Sequence, residues 1–167
     1  MRSALLLALT LLAACAGGSA ALRSSPLVGK PVKVAAADLR GREHDVGAEV
    51  GKVRVVDFWA TWCDPCRDQL PFLDRLAADY GSRGLSVYAV AFDEDRDAVQ
   101  RFLAETPVSF TVLWDKGGAA LAQPLEVTRL PTTLLVDRQG VVRDVHLGFE
   151  KAEEAKLEAA VRRLLAE

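Results

Sequence analysis

Val53-Arg54-Val55-Val56-Asp57-Phe58-Trp59-Ala60-Thr61-Trp62-Cys63-Asp64-Pro65-Cys66 runs from a β-branched, aromatic segment into two cysteines separated by two residues. Bounded upstream by Gly51-Lys52, the segment Val53 to Trp59 reads as a buried strand. Downstream, Leu70, Leu73, Leu76 and Ala77 recur at helical spacing as far as Tyr80-Gly81. The cysteines therefore stand where a strand hands over to a helix. Unpaired N–H groups and the macrodipole at a helix N-terminus stabilise an anion, so Cys63 is expected to carry a lowered pKa and to be the nucleophile. A free thiol near pKa 8.5 is only about 3% thiolate at pH 7, whereas one lowered to about 7 is half ionised. Cys66, a turn deeper, is the expected resolving thiol.

Composition narrows the alternatives. The 167 residues are one domain's worth, and 50% hydrophobic content is too high for a disordered chain. With 21 basic against 23 acidic side chains the net charge is −2, which argues against nucleic acid or another polyanion as partner. Three cysteines are too few for a disulfide scaffold and exclude a four-Cys zinc site. His44 and His146 lie far apart and flank no motif, so no metal is expected there.

Met1-Arg2-Ser3 carries one positive side chain, and the apolar run from Ala4 to Ala14, interrupted only by Thr10, is too short to span a bilayer. A basic start, a short apolar stretch and small residues make an export signal. Its end, Leu12-Ala13-Ala14-Cys15, resembles the bacterial lipobox, in which the cysteine is lipidated and becomes the mature N-terminus. The alternative is ordinary cleavage near Gly17-Gly18-Ser19-Ala20, which would discard Cys15. The expected division is a lipoprotein signal over residues 1–14, a lipidated flexible tether over 15–26 and a folded domain over 27–167. Ala16 after Cys15 is not an acidic retention residue, which favours the outer membrane. In an oxidising compartment, the pair left after Cys15 is poised to cycle between dithiol and disulfide.

Phe58-Trp59-Ala60-Thr61-Trp62-Cys63-Asp64-Pro65-Cys66, with the later Leu130-Pro131-Thr132-Thr133, resembles the thioredoxin superfamily over roughly residues 27 to 167. The resemblance implies an α/β thioredoxin fold, a central mixed sheet flanked by helices. It also implies that Pro131 is cis and lies against the dithiol, where its missing N–H leaves the sulfur uncontested. The export signal and the 65 positions from Cys66 to Pro131 place the chain nearer the TlpA and ResA type. That spacing leaves room for an added strand and helix, supplied by Val87 to Phe92 and Ala98 to Ala104. The type also implies an N-terminal hairpin, here Pro31-Val32-Lys33-Val34 and Glu43-His44-Asp45-Val46 around Leu39-Arg40-Gly41-Arg42.

Proteins of this type are tethered, extracytoplasmic reductases. The resemblance thus implies reduction of protein disulfides, with the CxxCH of apocytochrome c as one candidate substrate and a membrane dithiol carrier as electron donor. No metal or organic cofactor is expected beyond the redox-active Cys63–Cys66 pair, and the chain is expected to be monomeric. Asp64 beside Cys63 opposes its ionisation and makes the couple more reducing; Asp64 and Pro65 are therefore the expected tuning residues. Trp62 is expected to shield the disulfide face, while Trp59 and Trp114 are expected in the core or at its edge.

Two positions depart from the type. Gln69 stands where Glu is usual, three residues after the second cysteine, and Asp57 stands where Asn is common. Asp57, among apolar neighbours, is expected to be desolvated with a raised pKa and to relay the proton of Cys66. Asp93-Glu94-Asp95 reads as a helix N-terminal cap. Glu150 to Glu167, with Leu157, Val161, Leu164 and Leu165 on one face and Glu158 and Arg162 as a pair, reads as the closing amphipathic helix. The rivals are a disulfide oxidase or isomerase of the same fold, a peroxide-reducing variant, and a non-enzymatic envelope interaction module whose disulfide is structural.

Overall fold

The computed structural model describes residues 25–122 and 124–167, so the expected export signal and the expected lipidation site Cys15 lie outside the described residues. Five strands form a mixed sheet in the order β5-β4-β3-β6-β7. They are β3 (Val53–Trp59), β4 (Leu85–Ala91), β5 (Thr111–Trp114), β6 (Thr132–Val136) and β7 (Val142–Leu147). β3 runs parallel to β4 and antiparallel to β6, so it is hydrogen-bonded on both edges, and all seven of its residues are buried. A strand covered on both faces reads as a continuous apolar run, which is how Val53 to Trp59 reads.

Three helices pack on one face of that sheet: α1 (Asp64–Tyr80), α2 (Arg96–Glu105) and α3 (Glu154–Ala166). α1 and α2 are successive crossovers between parallel strands, and a common handedness keeps them on one side. Val53 and Val55 of β3 meet Phe72, Leu73 and Leu76 of α1 and Leu157, Val161 and Leu164 of α3. Pro71 removes one donor from the α1 ladder, a loss of about 3 kcal/mol. Burial of Leu70, Phe72, Leu73 and Leu76, each contributing about 1.5–3 kcal/mol, outweighs that loss, and the helix continues to Tyr80. α3 follows a 3₁₀ turn at Lys151–Glu153, and its Glu158 accepts the Tyr80 hydroxyl at 2.5 Å.

The opposite face carries Val56, Phe58, Tyr88, Val90 and Leu134, covered by Val32, Val34, Val46, Leu121 and Leu125. No α-helix lies over this face among the described residues. Gly117 and Gly118, at φ 60° and 71°, turn the chain after β5 in a conformation that helix continuation does not allow. Arg54 is buried here and donates to the carbonyls of Val46, at 2.9 Å, and Asp137.

The N-terminal hairpin is present, with its first strand nearer the turn than the expected Pro31 to Val34. Its strands are β1 (Ala35–Ala37) and β2 (Glu43–Asp45), paired antiparallel. Pro31 bridges instead to Val141, and Val32 donates to the Gly140 carbonyl at 2.8 Å. Pairing concentrates beside the turn because Asp38 closes it: its carboxylate accepts from the backbone of Arg40 at 2.8 Å and of Arg42 at 2.9 Å. The Arg42 guanidinium, at 2.8 Å, adds a charge-assisted bond. These donors hold the Asp38 carboxyl well below the usual carboxylate range. Asp38 also bridges to Leu113, so the hairpin covers the free edge of β5. Asp38→Ala is therefore expected to release the Arg40 and Arg42 amides to fast hydrogen exchange while leaving β3 amides protected. Mass-spectrometric exchange on the two proteins checks it, and unchanged exchange in the turn would refute the closing role of Asp38.

Candidate active site

The sheet-to-helix handover falls on Ala60–Cys63. Cys63 is the N-cap of α1, with extended backbone at φ −97° and ψ 101°. Its N–H donates to Ala60 O at 3.1 Å and its carbonyl accepts the first helical bond, from Arg67, at 3.1 Å. Pro65 stands at the second helical position, where a missing N–H leaves no ladder bond unmade. Cys63 and Cys66 form a disulfide with Cα atoms 5.3 Å apart. Cys63 is 7% exposed and Cys66 is fully buried, so attack from outside reaches Cys63 first.

A cleft of ≈ 550 Å³ opens beside Cys63, walled by Trp62, Pro65, Phe92, Val127 and Leu130, with Arg129 at its margin. Trp62 is 70% exposed, an apolar ring held in water next to the disulfide. Asp64, also at the cleft, is almost fully exposed and has Arg67 3.8 Å away. The Leu130–Pro131 peptide is cis, and Leu130 packs with Cys63 and Cys66 in one apolar cluster. Trp59 is fully buried in that cluster, and Trp114 is partly buried at the end of β5.

Asp57 lies at the centre of β3 with no solvent exposure. Burial pushes its carboxyl up to about 7, against a smaller lowering by the Thr133 hydroxyl, which donates to Oδ1 at 2.7 Å. Thr133 in turn accepts from Gln69 Nε2 at 2.9 Å. Asp57 Oδ2 and Gln69 Oε1 are buried without a partner among the described residues. Asp57 and Gln69 were singled out from the sequence, but Thr133 between them was not. Its only signal was its place two residues beyond Pro131.

The acidic stretch divides its work. Asp95 caps α2 as expected, accepting from the Asp97 N–H at 2.9 Å. Asp93 does something else: it is buried and holds the active-site loop, accepting from Thr61 N at 3.1 Å and from the Thr61 hydroxyl. Trp114 Nε1 donates to the Asp93 carbonyl at 2.8 Å. Sequence spacing cannot reveal this tie, because residues 61 and 93 meet only once β4 is beside β3. Among the described residues no three His, Cys, Asp or Glu side chains group as metal ligands would. His44 stands 3.2 Å from Asp38, and His146 stands 3.5 Å from Asp144.

Residues 27–161 match the Redoxin family. The thiol-disulfide oxidoreductase ResA of Geobacillus kaustophilus is 32% identical over 117 residues, 70% of this chain and 67% of that protein. The thioredoxin-like protein YneN of Bacillus subtilis is 34% identical over 125 residues, 72% of each chain. Among solved structures, a Chlorobium tepidum protein assigned as a thiol:disulfide interchange protein of the DsbE kind superposes with a TM-score of 0.79. It is 32% identical, over 85% of this chain and 99% of that one. A cysteine pair at the mouth of a helix, on a sheet of this order and with these relatives, identifies the chain as a member of the Redoxin family, a thiol-disulfide oxidoreductase of thioredoxin fold.

Proposed function

We propose that the protein is an extracytoplasmic reductase of protein disulfides, tethered to the envelope by a lipid on Cys15. The observation that carries the chemistry is the asymmetry of the pair: Cys63 caps a helix at the mouth of a cleft, and Cys66 is sealed beneath it. Reduced Cys63, stabilised as thiolate by the helix N-terminus, attacks a substrate disulfide. One substrate sulfur leaves as a thiolate and the other stays bound to Cys63. Cys66 gives its proton to Asp57 and attacks the Cys63 sulfur. The ring disulfide re-forms, and the second substrate sulfur leaves as a thiolate. A membrane dithiol donor returns two electrons and two protons. Exposed Trp62 and the apolar cleft wall fit an extended peptide carrying a disulfide, and within that class the motif's resemblance to the TlpA and ResA type makes the CxxCH of apocytochrome c a candidate. Pro131 bounds the dithiol with a residue that has no N–H to offer a thiolate, and the lipid on Cys15 confines the reaction to the membrane surface.

The direction of electron flow rests on Asp64. An exposed carboxylate next to Cys63 disfavours the thiolate and hence the reduced form, giving a reducing couple. A midpoint potential below roughly −230 mV, titrated in thiol buffers with alkylation trapping, is expected; one above about −180 mV would mark an oxidase or isomerase instead. Cys66→Ser should accumulate a mixed disulfide with substrate through Cys63, visible on non-reducing gels, whereas Cys63→Ser should not. Asp57 gives a pH signature in stability. Its carboxyl titrates at about 7 when folded against 3.8 when unfolded, so its contribution is full below about pH 4 and lost as pH rises to about 7. Asp57→Asn should accordingly be more stable than the parent at about pH 8, by up to about 4 kcal/mol, with the gap closing towards pH 4. Denaturant midpoints across that range check it; a gap independent of pH would contradict the buried-carboxylate account.

A further inference from the structure

We propose that Thr133 and Gln69 are positioning residues that reserve one oxygen of Asp57, Oδ2, for the proton exchanged with Cys66. The proposal rests on the reading of Asp57 as proton acceptor and names the atoms that make it one. A threonine hydroxyl has a single hydrogen. Gln69 Nε2 donates to Thr133 Oγ1 at 2.9 Å, so the amide occupies an oxygen lone pair and the hydroxyl hydrogen is left to point away from α1. It goes to Asp57 Oδ1 at 2.7 Å. Oδ1 is thereby committed as an acceptor, and Oδ2, buried and without a partner among the described residues, is the oxygen on which a proton can land.

The residue type at position 69 decides the polarity of this chain of bonds. An ionised glutamate there would accept the Thr133 hydrogen, turn it away from Asp57 and add a second charge to the buried site. Glutamine donates instead, and Asp57 remains the sole carboxylate of the cluster. Asp57 accepts from Thr133 of β6, which Gln69 of α1 bonds in turn, and pairs across the sheet with uncharged Ala89 of β4, which packs in one cluster with Cys66 of α1. His146 of β7 pairs with Thr133 one strand further along the row and stands 3.5 Å from Asp144.

The step concerned moves one proton. The Cys66 thiol gives it to Asp57 Oδ2, the Cys66 sulfur bonds to the Cys63 sulfur, the Cys63–substrate bond breaks, and the substrate leaves as a thiolate. The test is a stopped-flow pH jump on the full chain carrying a Cys63–glutathione mixed disulfide, following release of the glutathione thiol. In the parent the resolution rate should rise with pH as Asp57 ionises. Thr133→Val keeps the shape of the side chain but removes the hydrogen bond to the charged carboxylate, and should move the midpoint up by about one pH unit. Thr133→Ser should restore it, and Gln69→Glu should move it up as Thr133→Val does. In an Asp57→Asn background the limb should vanish, and Thr133→Val should then change nothing more. If Asp57→Asn abolishes the limb but Thr133→Val leaves the parent midpoint in place, the positioning role is overturned while Asp57 keeps its part. If Asp57→Asn leaves the profile intact, the reading of Asp57 itself fails, and the inference with it. An equal shift by Thr133→Val with and without Asp57 would place the hydroxyl's effect elsewhere and also overturn the proposal.

Discussion

A strand buried on both faces and bonded on both edges cannot end gradually, and β3 is such a strand. Its last residue, Trp59, still has its carbonyl bonded to Phe92 at 2.9 Å, and α1 begins five residues later at Asp64. The reversal from β to helical backbone is squeezed into Ala60–Cys63, so the first sulfur follows directly on a strand held on both edges and both faces. Everything else at the site is referred to that point. Asp93 pins the loop from the end of β4, Leu130 closes on it from the approach to β6, and Gln69 reaches back from α1 towards Asp57.

Much of this was legible in the sequence because it is written in local periods. Val53 to Trp59 as a core strand, the α1 repeat, the closing helix and the cysteines at their junction follow from apolar spacing and adjacent residues. The cis Leu130–Pro131 and the central strand-helix insertion followed from the motif and its distance from Cys66. What stayed hidden depends on contacts across the chain. The first hairpin strand lies closer to the turn than expected because Asp38, which no apolar pattern marks, gathers the turn amides. Pro71 stands inside α1 against its local preference because tertiary burial is the larger effect. The ties Thr61–Asp93 and Gln69–Thr133–Asp57 span 32, 64 and 76 positions of sequence, and only the sheet order brings them together.

The site also shows how one fold divides polar burial between structure and chemistry. Asp38, Asp93 and Asp115 are buried carboxylates supplied with several donors each, and they serve to fix turns and loops. Among the described residues, Asp57 has one donor and one bare oxygen. A deeply buried carboxylate left half satisfied is costly to stability, and that cost keeps its proton exchangeable near neutral pH.

The uneven cover of the sheet gives the molecule a stiff side and a yielding one. On the disulfide side, three helices continue the cooperative unit from β3 outward. On the other, the apolar layer of Val56, Phe58 and Val90 is roofed by a short hairpin and by the glycine-broken passage after β5. Partial opening will begin at that roof, where little regular structure must be given up. It can expose the apolar layer under the hairpin while the redox pair stays registered on the helical side. Phe92, Val127 and Leu130 of the cleft wall pack against this same layer, so the yielding side reaches the edge of the cleft beside Cys63.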